Sequence, residues 1–148
     1  MSEAAGARVE GIWIKGGRGG PMRAVDAATL VEGAGIEGNA DAGGYRQVTM
    51  LDADAWERAT GELGAPVDPA ARRANLLFRG VDLEEQAGRV IRVGECRIRI
   101  RGETRPCGRM EQAASGLREA LARGWRGGAY GMVLHGGRIS VGDAVSWE

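Results

Sequence analysis

The chain has 148 residues, with 20 basic and 20 acidic side chains and a single histidine, a length within the roughly 100–200 residues of one domain. Zero net charge excludes the global field that draws a protein onto nucleic acid or an anionic membrane, so any anion site has to be local. Two cysteines are too few for a disulfide scaffold, and no apolar segment follows the N-terminus, so a single domain spanning residues 1–148 in a reducing cytoplasm, away from membranes, is expected.

The 26 glycines are spread between short apolar runs with no repeat, which suits many strands and tight turns. Residues 8–14, "RVEGIWI", alternate and read as a first strand. "KGGRGGPM" breaks it; glycines beside Lys15 and Arg18 are either a bare loop or an anion-wrapping nest, and the P-loop pattern is absent. Strand residues with turn glycines occupy 25–36, and 45–51 is a clearer strand. "DADAWERATGEL" predicts a helix, with Asp54 and Glu57 at capping-box spacing and Gly61 and Gly64 to close it. Asp68 before Pro69 predicts one further helical turn, after which 75–78 extend into a strand.

"RVIRVGECRIRIRG" is the strongest β signal. Cys96, Ile98 and Ile100 share one face while Arg97, Arg99 and Arg101 share the other, which places Cys96 in the core. Residues 115–123 form a second predicted helix, stopped by Gly124. Gly136-Gly137 reads as a two-residue hairpin turn, and Gly142-Asp143 as another before a last strand at 145–147. The expected fold is mainly β, an antiparallel barrel or sandwich with two or three short inserted helices.

One thiol stands apart. Cys107 is flanked by Arg105 and Arg109, follows Pro106 and precedes Gly108, where a strand-like run becomes a helix-like one. Cations and helix N-termini favour the thiolate, the reactive form of cysteine. The bland alternative is a free cysteine among exposed arginines. His135, the only histidine, reads as a surface turn residue, which leaves no Cys/His zinc site. Arg72 and Arg73 ahead of Asn75 bring guanidinium and amide groups to one strand start, either to meet a phosphate or polar heterocycle or as a salt-bridged helix end.

In the order "GIWIKGGRGGPM", "GAGIEGN", "RQVTML", "RRANLLFRGVDL", "GRVIRVGECRIRIRGETRPC" and "RGGAYGMVLHGGRISVGDAV", residues 9–145 resemble small stand-alone bacterial members of the MOSC family. The resemblance implies a mostly β-barrel fold and binding of a molybdenum–pterin cofactor. It points to Cys107 as a metal ligand or sulfur carrier, with Arg73, Asn75, Thr104 and Arg105 at the cofactor. Reduction of N-hydroxylated compounds is the implied activity, with a non-catalytic carrier of sulfur or cofactor, or a barrel acting only through contacts, as alternatives. Sulfur or electrons would come from a separate cysteine desulfurase or electron-transfer protein, since two cysteines hold no four-cysteine iron–sulfur cluster. The chain departs from the resemblance at Asn39, where relatives often carry an aspartate.

Overall fold

The computed structural model describes residues 6–17, 19–40 and 43–148. In chain order the described elements are strands β1 (Arg8–Lys15), β2 (Met22–Val25), β3 (Ala27–Val31), β4 (Gly35–Ile36) and β5 (Val48–Asp52), helix α1 (Ala53–Glu62), a 3-10 turn (Pro69–Arg72), and strands β6 (Leu76–Arg79), β7 (Val90–Val93) and β8 (Cys96–Glu103). Helices α2 (Gly108–Ala113) and α3 (Leu117–Leu121) follow, then β9 (Ala129–His135), β10 (Gly137–Ser140) and β11 (Val145–Trp147). The fold is mainly β with few short helices. No helix among the described residues is long and apolar enough to cross a membrane.

Eight strands pair in the order β11-β7-β8-β9-β5-β6-β1-β2, and β10-β3-β4 form a smaller sheet; no closed barrel is traced among the described residues. The larger sheet is mixed rather than wholly antiparallel, because β5 and β6 run parallel, joined through α1 and the 3-10 turn. Such a crossover is what parallel neighbours require.

Period-two alternation explains why this sheet is buried on both faces at β5 and β6. Met50, Leu76 and Phe78 join one apolar cluster with Cys96, Ile98 and Ile100, as the β8 pattern predicts. Leu51 and Leu77, one step along, face the other way and pack with Trp56, Met110, Leu117 and Leu121 from the three helices. The helices thus cover that second face at β5 and β6. Beyond them, in register across β9 and β8, it carries Tyr130, Met132, Arg99 and Arg97.

Two local expectations change. Gly136 is not a hairpin turn: β9 pairs with β5 and β8, whereas β10 pairs with β3, so the chain passes from one sheet to the other at this point. Gly136 lies so close to β3 that a Cβ would stand 2.4 Å from the Leu30 carbonyl oxygen. The cap of α1 is Asp52 instead of Asp54; its Oδ1 accepts from the backbone N–H groups of Asp54 (2.9 Å) and Ala55 (3.1 Å).

Asp54 and Glu57 turn instead to Arg79. Its guanidinium meets Glu10 at 2.7 Å, Asp54 at 2.8 Å and Glu57 at 2.7 Å, tying β1 and α1 to the end of β6. Burial works to raise the Asp54 carboxyl, but the N–H of Gly80 and the Arg79 guanidinium outweigh it, and Asp54 lies below the usual carboxylate range. Glu57 is lowered chiefly by its hydrogen bond from Arg79. Depressed carboxylates stabilise the fold above their unfolded values, and that contribution is lost as pH falls through the folded ones. Arg79→Met is expected to cost about 1 kcal/mol near neutral pH and to flatten the loss of stability between about pH 5 and pH 3. Thermal melts of both proteins across that range check this; parallel pH profiles would remove the network from the account.

Candidate functional site

The site begins with an amide. Asn75, just ahead of β6, is 5% exposed. Its Oδ1 accepts from the backbone N–H (3.1 Å) and hydroxyl (3.2 Å) of Thr49, while its Nδ2 donates to the Trp13 carbonyl (3.1 Å) and Asn39 Oδ1 (3.2 Å). A primary amide offers two acceptor positions and two donors, so the Asn75 side chain is saturated. It joins β1, β5 and the turn at Asn39, and has no group left over for a ligand.

Next to it, the 3-10 turn starts as Asp68 and Pro69 predict, with Asp68 Oδ1 accepting from the Ala70 N–H at 2.9 Å. It ends at Arg73 in the left-handed conformation (φ 64°, ψ 32°), which is uncommon for a side chain of that size and is found preferentially at functional positions. Arg73 Nη2 donates to the Gly20 carbonyl at 2.6 Å. Arg72 points the other way: its Nε donates to the Gly127 carbonyl (2.8 Å) and its Nη2 to the carbonyls of Thr104 (2.9 Å) and Arg105 (3.3 Å). Burial pulls the Arg72 pKa below its ordinary value; the nearby Cys107 opposes that shift and Arg46 adds to it.

Close backbone approach at Gly127 and Gly128 makes this possible. A Cβ on Gly127 would lie 2.6 Å from the Thr104 carbonyl oxygen, and one on Gly128, whose φ is +106°, 2.3 Å from that of Met50. Thr104 is buried there, donating its hydroxyl to the Gly127 carbonyl at 2.8 Å.

These pieces enclose a cavity of about 530 Å³. Arg73, Asn75 and Thr104, three of the residues singled out in the sequence, line it together. Arg105 does not; its side chain is exposed and only its carbonyl takes part, receiving Arg72. Nor does Cys107, which is exposed at the start of α2, three residues beyond Thr104 and within the electrostatic reach of Arg72. At the glycine loop, read as either a bare loop or an anion-wrapping nest, the Gly20 N–H is used by the Gly17 carbonyl (2.8 Å), while its own carbonyl accepts from Arg73; Arg18 lies outside the described residues.

Four cations, Lys15, Arg46, Arg72 and Arg73, line the cavity, and no carboxylate does so among the described residues. Arg46 escaped the sequence reading. Its one sequence signal is its place two residues before β5, three residues ahead of Thr49; in the structure its guanidinium lies over the Tyr130 ring, 4.8 Å from the centroid. On a chain with no net charge, this clustering gives the described lining a local excess of positive charge. No group of three or more His, Cys, Asp or Glu side chains is arranged to hold a metal ion among the described residues.

The two thiols differ sharply. Cys96 is fully buried, and burial first, then Glu95 and Asp143, push its pKa up to about 11; Cys107 is exposed. Native protein treated with iodoacetamide near neutral pH is expected to gain a single adduct, at Cys107, with Cys96 reacting only on unfolding. Peptide mass spectrometry reads the outcome, and equal labelling of both thiols in the native state would contradict it.

Known proteins agree with this architecture. The structure is similar to the YuaD protein of Bacillus subtilis, with a TM-score of 0.78 at 20% identity over 94% of this chain and 93% of that one. It is also similar to YiiM of Geobacillus stearothermophilus (TM-score 0.74, 14% identity, 96% and 75% covered) and YiiM of Escherichia coli (0.71, 20%, 95% and 69%). At these identities the likeness concerns the fold alone. No curated protein matches. The profile of the MOSC domain, however, matches residues 37–146, and the chain therefore belongs to the MOSC domain family.

Proposed function

We propose that this chain binds a molybdenum–pterin cofactor in the cation-lined cavity, uses Cys107 as its sulfur ligand, and reduces N-hydroxylated compounds with electrons from a separate protein. The MOSC domain family is associated with molybdenum cofactor binding. The observation that carries the reading to this chain is the set of four cations without a carboxylate among the described lining residues. A cofactor bearing a phosphate requires that donor chemistry, and guanidinium groups recognise phosphate through paired, charge-assisted hydrogen bonds.

The residues fit the group as follows. Arg73, Arg46 and Lys15 would face its anionic end, and Asn75 and Thr104 act by holding the walls in place. Cys107 would supply the soft thiolate that molybdenum prefers, next to Arg72. When bound, the cofactor supplies two-electron redox chemistry. Reduction of an N-hydroxyl group consumes two electrons and two protons and releases water. Two cysteines hold no four-cysteine cluster, so the electrons would come from an outside protein, and Arg99 and Arg101 on β8 suit an acidic one, Arg92 and Arg97 being paired with Glu148.

One observation favours a second reading. An exposed Cys107 is reachable by a desulfurase, as a carrier of persulfide sulfur requires. Protein purified from molybdenum-replete cells tests the cofactor reading: molybdenum by metal analysis together with pterin fluorescence is expected, and absence of both would leave the sulfur carrier and the barrel acting only through contacts. Arg73→Ala is expected to weaken cofactor retention by about 1.5–3 kcal/mol, roughly tenfold to a hundredfold. Cys107→Ser should keep part of the pterin while losing reductase activity; undiminished turnover by this variant would refute the role given to the thiol.

A further inference from the structure

Helix α2 carries a face that the cofactor reading does not use. Arg109, Gln112 and Ala113 stand at positions i, i+3 and i+4, which share one side of a helix, while Met110 turns into the apolar cluster beneath. That side borders a second hollow, of about 510 Å³, a size usual for small-molecule sites. The 3-10 turn supplies another wall through Ala70, Ala71 and Arg73, and β2 adds Met22.

The chemistry of this lining is divided. Met22 and the three alanines leave apolar surface uncovered. Arg109 and Gln112 are exposed, and neither side chain has a hydrogen-bond or charged partner among the described residues. Arg73 adds a second guanidinium, one N–H of which goes to the Gly20 carbonyl. No carboxylate lines the hollow among the described residues, and the one on α2, Glu111, is turned to the Gly116 N–H at 2.8 Å. An open guanidinium beside an open amide and an apolar floor matches a molecule with a carboxylate at one end and a hydrocarbon body. The acid takes paired, charge-assisted bonds from arginine, and the body covers the methyl groups.

The hollow also adjoins the exposed thiol. Cys107 occupies the N-cap position of α2, two residues ahead of Arg109, and lies within electrostatic reach of Arg72, which stands between the lining residues Ala71 and Arg73. Both α2 and the 3-10 turn thus bring the hollow to Cys107.

We propose that this hollow is a second binding site, for a small organic carboxylate, which it holds beside Cys107 with the acid on Arg109 and Gln112 and the hydrocarbon part on Ala70, Ala71 and Met22. The site needs neither molybdenum nor pterin, so it stands apart from the cofactor reading. It requires no exclusion of water, because a guanidinium meets a carboxylate through two parallel bonds that fix its geometry at a wet surface.

Benzoate and benzamide, which share a shape and differ in charge, provide the comparison. NMR titration of the full chain is expected to show benzoate bound about fivefold more tightly than benzamide, the worth of one well-placed exposed ion pair, with the shifting amides in α2 and the 3-10 turn. Saturating benzoate should slow alkylation of Cys107 by iodoacetamide, a neutral reagent that the arginines do not steer. Arg109→Gln removes one charge from an exposed helix position and should abolish the preference while melting like wild type. Equal affinities for the two probes, no binding of benzoate, or an unchanged preference in Arg109→Gln each overturn the site. Full-rate alkylation under saturating benzoate overturns its placement beside the thiol. If Arg46→Gln loses the preference and Arg109→Gln does not, the acid sits in the main cavity and the hollow is no site. Failure to copurify molybdenum, by contrast, touches only the cofactor reading.

Discussion

A single amide holds the site together. Asn75 is bonded through every donor and acceptor it has, to β1 through Trp13, to β5 through Thr49 and to the Asn39 turn, so three segments distant in sequence share one buried fixture. The Thr49 hydroxyl returns the contact by accepting from the Asn75 backbone N–H at 3.0 Å. A buried amide stabilises a network only when its own groups are satisfied, and those of the Asn75 side chain are. Both neighbours of Asn75 in the cavity wall inherit their placement from it: Arg73 leaves the 3-10 turn two residues earlier, and Asn39 has its amide oriented by it.

The electrostatic design depends on that rigidity. Four cations brought around one cavity repel each other, and burial further disfavours the charge on Arg72. The fold answers by giving Arg72 three carbonyl acceptors and Arg73 one, groups that carry partial negative charge without adding a carboxylate that would compete with a ligand. Gly127 and Gly128 are indispensable to this solution. A side chain on either would push away the Thr104 carbonyl or Met50, and with them the acceptors on which Arg72 rests.

Much of this was legible in the sequence, for physical reasons that differ by residue. The alternation of Cys96, Ile98 and Ile100 with arginines is a period that only a strand with one buried face satisfies, and Asp68 before Pro69 is a local signal for a helical start; both hold. Gly136-Gly137 misled because a glycine pair reports tight backbone and not the partner that makes it tight, here the Leu30 carbonyl of another sheet. Asp54 misled because Asp52 is an equally good cap and the choice between them was made by Arg79, far along the chain. At the site, Arg73 and Asn75 stood out through their local pattern, and Thr104 only through the resemblance to the family. The saturation of Asn75 and the participation of Arg46 did not, since both are products of strand register.

Arg73 also borders a second concavity, of about 510 Å³, whose other walls include Met22, Arg109 and Gln112. Arg73 is thus a wall shared by both hollows, so a change at this one position alters the lining of each.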